Sequence, residues 1–156
     1  MGKTFRIKDV SAVDGSVRIK IHASVLGARL ELAQYWLDSQ IMNDMEPLMP
    51  RNDSTFINLT RAQSAALAGS GRVIAAAPPF GRFLYNGKVM IDPVTKSPWA
   101  RKGAKKILTD QPLNLTHGNP KAVPKWFEAA KDAHLQDWMN GVKEILEGRT
   151  RGNTGG

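Results

Sequence analysis

The sequence has no cysteine, which excludes disulfide bonds, thiol catalysis and thiolate metal sites. Proteins that fold in a reducing cytoplasm commonly share this property. The sequence also lacks any apolar run near the roughly 18 to 20 residues that a transmembrane helix needs. Its N-terminus carries basic residues without an apolar segment behind them, so we predict no secretory signal. We therefore expect a soluble intracellular protein with no membrane partner.

Residues suited to catalysis are sparse. Asp92 and Asp110 have no facing carboxylate in the pattern, so we interpret them as turn or cap residues. The "GSGR" segment, 69–72, lacks the further residues of a phosphate-binding loop. The three histidines, His22, His117 and His134, do not have the spacing of a metal site. We predict no catalytic residue, metal site, cofactor or small-molecule substrate, and hence no enzyme.

The length and composition are those of a globular protein. A chain of 156 residues with 42% hydrophobic content is long enough to bury a sizeable core. We predict one α+β domain over residues 1–148, in which 1–15 form a strand or an arm. The tail, 149–156, has no apolar side chain and is expected to be flexible.

Two segments alternate apolar and polar residues in the manner of strands. "SVRIKIHAS", 16–24, places Val17, Ile19 and Ile21 on one face. "TFRIKDV", 4–10, alternates in the same way, and "AVDGS", 12–16, offers turn residues between them. The pattern favours a hairpin or an extended arm.

Two long helices are predicted, one in each half of the chain. The first follows Ser24, its candidate N-cap, and carries an apolar stripe: Leu26, Leu30, Ala33, Leu37, Ile41 and Met45. The second starts at Pro124 and stops at Gly148. Its predicted core residues are Trp126, Phe127, His134 and Trp138, joined by Ala130, Val142 and Ile145 and widened by Leu135, Met139 and Leu146. With the strands, these helices indicate an α+β fold in which they pack on a small antiparallel sheet beside an extended basic loop.

The segment between the helices is ambiguous in two places. Helix propensity favours a helix over 61–68, whereas Gly69-Ser70-Gly71 followed by Arg72-Val73-Ile74 indicates a turn and a strand. We favour a hairpin over 59–77.

The stretch "PPFGRFLYNGKVMIDP", 78–93, is also open to two interpretations. Asn86-Gly87 fits a type I′ hairpin turn, but a short helix opened by the prolines and ended by Gly87 fits better. With that helix we predict a structural corner, formed by Pro79, Phe80, Phe83, Leu84, Tyr85 and Gly87.

Positive charge is concentrated in the middle of the chain. The net charge is +8, and residues 82–106 hold seven basic residues against one acid, Asp92. Residues 124–147 hold three lysines against five acids. The basic middle is either a solvated surface or a contact site for nucleic acid or an acidic protein surface. Its candidate interface residues are Arg82, Lys88, Lys96, Trp99, Arg101, Lys102, Lys105 and Lys106.

Three segments together resemble the minor capsid proteins of tailed bacteriophages that infect Gram-positive hosts. They are "PPFGRFLYNGKVMIDP", "SPWARKGAKKILTDQPLNLTHG" and "PKWFEAAKDAHLQDW". Asn86 stands where that family usually has an aromatic residue, and Gln111 where it has arginine. The matching residues are Pro79, Phe80, Gly81, Arg82, Phe83, Leu84, Tyr85, Gly87, Lys88, Val89, Met90, Thr109, Asp110, Pro112, Leu113, Trp126, Ala130, Lys131 and His134.

More distantly, the order of elements resembles that of phage tail-completion or neck proteins. The resemblance implies an α+β protomer in a homo-oligomeric ring at the head–tail junction of the virion, assembled in the bacterial cytoplasm. Its implied partners are portal-adjacent and tail proteins, with packaged DNA passing through the lumen. The alternative is a nucleic-acid-binding module that uses the basic loop, 88–106.

Overall fold

The computed structural model describes residues 10–14, 17–21, 23–51 and 53–149. Its strands form two antiparallel pairs, β1 with β2 and β3 with β4. In chain order the elements are β1 (Val10–Asp14), β2 (Val17–Ile21), α1 (Ala23–Met45), a 3-10 turn (Glu46–Leu48), α2 (Thr55–Ala65), α3 (Gly81–Asn86), β3 (Lys88–Ile91), β4 (Ile107–Pro112) and α4 (Trp126–Leu146). The predicted α+β class, with two long helices and small antiparallel sheets, is confirmed.

The core is built by α1, α2 and α4 together with the turn after α1. Its centre is the fully buried indole of Trp126, which meets Tyr85 and Phe56 edge-on at ring-centroid distances of 4.9 and 6.0 Å. The indole N–H donates to the carbonyl of Ala75 at 2.7 Å, so this buried polar group is satisfied. The other buried members of the cluster are Met42, Met45, Met49, Ile57, Ala130 and Trp138.

α1 and α4 pack as an antiparallel pair. Near one end, the guanidinium of Arg29 donates to the carbonyl of Leu146 at 3.0 Å. Near the other end, the indole N–H of Trp138 donates to Asp44 at 2.6 Å. Between these contacts Gly141 faces the ring of Trp36, and a Cβ at position 141 would lie 2.0 Å from its Cη2 atom. The two helices can approach this closely only because position 141 has no side chain.

The predicted hairpin over 59–77 is wrong, because residues 55–65 form α2. After the turn at 66–71, residues 72–77 form no strand, and side chains of α2 satisfy backbone groups of this segment. The hydroxyl of Ser64 donates to the carbonyl of Ile74 and accepts its N–H, at 2.9 and 3.0 Å. Thr60 accepts the N–H of Ala77 at 3.2 Å.

The turn between α2 and that segment is tied to α1 by a buried carboxylate. One oxygen of Asp38 accepts the amides of Gly69 and Gly71 at 2.8 and 3.0 Å. The other accepts from the side-chain amide of Gln34 at 2.8 Å. The predicted turn at 69–71 is therefore confirmed, although its anchor was not predicted.

The described part of the N-terminal hairpin differs from the prediction in the position of its first strand. β2 covers residues 17–21 as the alternation predicts, but β1 covers 10–14 and pairs Asp14 with Val17. Residues 12–14, predicted as turn, therefore belong to a strand. The alternating segment at 4–9, the start of the predicted arm and the tail beyond Arg149 lie outside the described residues.

The corner at 78–93 follows the short-helix interpretation. α3 ends at Gly87, which has the left-handed backbone (φ 60°) that the prediction requires. Phe83, Leu84 and Tyr85 are half-buried, whereas Pro79 and Phe80 are exposed. The predicted inward position of Phe80 is wrong, because α3 begins only at Gly81 and Phe80 precedes its first turn.

α4 begins at Trp126, two residues after Pro124, and ends as predicted. Beyond its end, the amides of Gly148 and Arg149 donate back to the carbonyls of Ile145 and Glu144 at 3.0 and 2.9 Å, which is a Schellman motif. Trp126, Ala130, Trp138 and Gly141 are its buried residues.

The prediction that His134 belongs to the core is wrong. Phe127 and Trp138 stack along the inner face of α4 with centroids 6.5 Å apart. The imidazole stays partly exposed at the edge of this face, 3.8 Å from a carboxylate oxygen of Asp137, where water solvates it. Among the described residues, no helix is long and apolar enough to cross a membrane.

Replacing Gly141 by alanine is expected to destabilise the fold by about 1 to 3 kcal/mol, the range for over-packing. Helix propensity alone gives the opposite sign, since alanine exceeds glycine by about 1 kcal/mol in a helix interior. Urea unfolding of Gly141→Ala measures the difference. The same change in a Trp36→Phe background, where the colliding ring atoms are absent, should cost less. A higher stability for the single variant would contradict the close approach of the two helices.

Gly87→Ala is expected to lower the free energy of unfolding more than Gly103→Ala does. The difference between the two variants measures the effect of the contact with Pro124. Both glycines have positive φ, 60° and 80°. A side chain there costs about 1 to 2 kcal/mol on backbone grounds alone. Position 103 has open space around a Cβ, whereas a Cβ at position 87 would lie 2.8 Å from the Cβ of Pro124. Equal losses of unfolding free energy would show that the contact with Pro124 carries no cost.

Candidate functional site

The predicted basic loop is part of a hairpin. We call residues 88–112, which comprise β3, β4 and the connection 92–106, the basic hairpin. The strands pair with Met90 opposite Leu108 and Ile91 opposite Ile107, and a bulge lies between Lys88 and Met90. Seven of the eight predicted interface residues lie in the hairpin: Lys88, Lys96, Trp99, Arg101, Lys102, Lys105 and Lys106. The eighth, Arg82, lies on α3.

One fully buried carboxylate organises the connection. Asp92 has no exposed surface and accepts the amides of Val94, Thr95 and Arg101 at 2.8, 3.3 and 3.1 Å. It also receives the guanidinium of Arg101, with Nε at 2.9 Å and Nη2 at 3.3 Å. The backbone amide of Asp92 donates to the carbonyl of Ser97 at 2.8 Å. The connection is therefore a built loop, and Asp92 is more than the turn residue that the sequence predicts.

The electrostatics of this centre follow from its hydrogen bonds. The guanidinium of Arg101, followed by the backbone amides, holds the pKa of Asp92 well below its usual range although burial opposes this. The carboxylate in turn raises the pKa of Arg101. Arg101 was predicted as an interface residue, but its charge is compensated within the loop.

The remaining cations fall into two groups. Lys88 pairs with Asp110 at 3.5 Å, and the ammonium of Lys106 lies 5.0 Å from the ring centroid of Phe83. In the part of the chain that the structure describes, no carboxylate pairs with the remaining four: Arg82, Lys96, Lys102 and Lys105. All four are exposed. Their charge is available to a partner.

Trp99 is the most exposed large hydrophobic residue of the described chain. Its side chain is 85% exposed, and the neighbouring Val94 and Pro98 are also exposed. Trp99 therefore does not pack on the core of its own chain. A large indole held in water on an anchored loop is typical of an interface residue.

A second surface was missed by the sequence analysis. Seven apolar side chains, together with Lys143 and Glu147, line a groove of about 490 Å³ between α1 and α4. Leu37 and Ile41 belong to α1. The apolar α4 residues are Leu135, Trp138, Met139, Val142 and Leu146. Leu135 and Met139 were predicted to widen the core face, yet they are 44% and 58% exposed. The signal was present in the sequence, because the apolar stripe of α4 is wider than one neighbouring helix can cover.

The basic hairpin and the α1–α4 pair differ in net charge. The hairpin, residues 88–112, holds six cations against two acids. The α1–α4 pair, counted with Glu147, holds three cations against eight acids. The cations are Arg29, Lys131 and Lys143, and the acids are Glu31, Asp38, Asp44, Glu128, Asp132, Asp137, Glu144 and Glu147.

Among the described residues, no group of three histidine or acidic side chains is placed to hold a metal ion. The chain matches no protein-family model, no curated protein and no solved structure. The two surfaces just described are thus the features from which a function can be argued.

Asp92→Asn is expected to loosen the connection while α1 and α4 keep their stability. The amide keeps one acceptor oxygen but replaces the other by an NH2 donor, and it removes the negative charge that strengthens the bonds from Arg101. Hydrogen exchange measured by NMR should show lost protection at Val94, Thr95 and Arg101 but unchanged protection in α4. Unchanged protection of all three amides would contradict the role of Asp92 as the anchor.

The wild-type hairpin is expected to withstand acid. Because the folded-state pKa of Asp92 is depressed, its stabilisation is complete above the unfolded value and is lost only as pH falls through the folded-state value. Protection of the Arg101 amide should persist at about pH 4, where ordinary carboxylates are half protonated.

Proposed function

We propose that this protein is a structural component of a tailed-bacteriophage virion, a minor capsid or tail-completion protein of the head–tail connector. It forms a homo-oligomeric ring between head and tail and assembles in the cytoplasm of the host bacterium. It works by assembly and carries out no chemistry. Its partners are further copies of itself and the adjoining portal-side and tail proteins, with packaged DNA passing through the lumen.

The observation that carries the proposal is the exposed Trp99 on a loop that Asp92 anchors. Because Trp99 stays 85% exposed to water, its side chain does not stabilise the protomer by burial. Burial of the same side chain against another chain is favourable, since tryptophan is among the residues most enriched at interface hot spots. Anchoring by Asp92 lowers the entropy lost on docking, because the loop is already ordered.

The charge distribution supports a ring. Rings are built by heterologous contacts, in which one surface of a protomer meets a different surface of its neighbour. A protomer with a basic hairpin and an acidic helix pair has two such surfaces of opposite sign. The resemblance of residues 79–90, 109–113 and 126–134 to phage minor capsid proteins supports the same assignment and gives it a location.

A nucleic-acid-binding role for the hairpin is the second candidate. The exposed indole of Trp99 offers a stacking surface, and the free charges of Lys96, Lys102 and Lys105 offer phosphate contacts. Binding to DNA by these residues must weaken steeply with salt, since each neutralised phosphate releases counterions. A logarithmic plot of affinity against salt concentration with a slope of about −3 would favour this function.

The location is tested on particles produced by a phage genome that encodes this chain. We expect several copies per purified particle by quantitative mass spectrometry, with antibody label at the head–tail junction. Deletion of the gene should leave DNA-filled heads and separate tails. Purified virions without the chain, or infectious tailed particles after deletion, would overturn the proposal.

A further inference from the structure

The basic hairpin presents an exposed indole, and the α1–α4 pair of the same protomer presents an apolar groove. We propose that Trp99 of one copy inserts into the apolar groove between α1 and α4 of a second copy, and that this contact repeats around the assembly. The inference rests on the proposed ring and specifies which residues meet at its interface.

The groove has the properties of a site that another chain covers. Its apolar α4 stripe, Leu135, Met139, Val142 and Leu146, follows the four- and three-residue steps of a packing face. No element in the described part of the chain covers Leu135 and Met139, which remain 44% and 58% exposed. A volume of about 490 Å³ lies within the range of about 300 to 1,000 Å³ typical of pockets that enclose a compact apolar group.

Net charge favours a second copy of the hairpin as the occupant. An isologous contact through the same groove would bring together two α1–α4 pairs of the same net charge, since each holds three cations against eight acids, of which Asp38 is buried. Like charges disfavour such a contact. The hairpin instead brings Lys96, Lys102 and Lys105 toward a helix pair of net negative charge. Near the groove the acids are Asp132, about one turn before Leu135, and Glu147 in the lining, and the cations are Lys131 and Lys143.

The first test compares three variants, each at an exposed position, so that the protomer stays folded. Trp99→Ala removes the inserting side chain, and Met139→Glu places a charge in the groove. Phe80→Ala removes an aromatic group that is 62% exposed and belongs to neither surface. Sedimentation velocity should show self-association weakened roughly tenfold or more by each of the first two changes, as expected at hot spots, and unchanged by the third. Circular dichroism confirms that all three remain folded.

Mixing the two defective proteins tests whether the contact is heterologous. Trp99→Ala keeps an intact groove, and Met139→Glu keeps an intact hairpin, so a mixture can form one proper contact between unlike protomers. We expect a heterodimer in the mixture and monomers in each separate sample. Weakening by Met139→Glu without an effect of Trp99→Ala would indicate a groove-to-groove dimer and overturn the proposal.

Photo-crosslinking identifies the contact directly. A benzophenone amino acid at position 99, in a mixture of ¹⁴N- and ¹⁵N-labelled protein, should link to Met139 or Leu135 of the other isotopic species. Links within one chain only, or a wild-type protein that stays monomeric and gives no link to α4, would overturn the inference.

These outcomes separate the inference from the function it rests on. If the chain is found at the head–tail junction of particles but Trp99→Ala has no effect on association, the docking contact alone is overturned. A hairpin-in-groove assembly from a chain that is absent from virions would sink the virion function alone.

Discussion

The burial of Trp126 is the interaction on which the rest of the fold depends. Its ring meets Phe56 of α2 and Tyr85 of α3, and its N–H holds the carbonyl of Ala75, so one side chain joins four parts of the chain. The hydroxyl of Tyr85 donates to Glu128 in the first turn of α4, and burial together with that carboxylate raises the pKa of the phenol above its usual range. α3 is thereby fixed on α4, and the basic hairpin that follows α3 takes its direction from this contact.

Two buried carboxylates, Asp38 and Asp92, hold the loops in place by accepting their backbone amides. Asp38 gathers the amides of Gly69 and Gly71, and Asp92 gathers three amides and a guanidinium. Both turn irregular backbone into defined structure without a neighbouring strand, because an ionised oxygen accepts several donors at once. This is why a surface loop rich in lysine can hold a fixed shape and present Trp99 to water at the same time.

The sequence predicts those features whose cause is local. The long helices follow from the stripes that include Leu37 and Trp138, and the end of α3 follows from the left-handed backbone of Gly87. Features with distant causes could not be predicted. Ser64 and Thr60 replace a partner strand for residues 74–77, which no pattern within that segment reveals. The width of the α4 stripe is visible in the sequence, but the part of it that stays exposed, at Leu135 and Met139, depends on where α1 crosses α4. That crossing depends on the missing side chain of Gly141.

The contact of Gly87 with Pro124 has a consequence for geometry at a larger scale. It sets the direction of β3 relative to the start of α4, and so the angle between the hairpin and the groove on one protomer. In a heterologous assembly that angle is the rotation from one subunit to the next, and only a rotation that divides a full turn closes a ring, whereas any other generates an open helix. Under the proposed docking, the close approach of Gly87 to Pro124 is thus one of the contacts inside the protomer on which the subunit number depends.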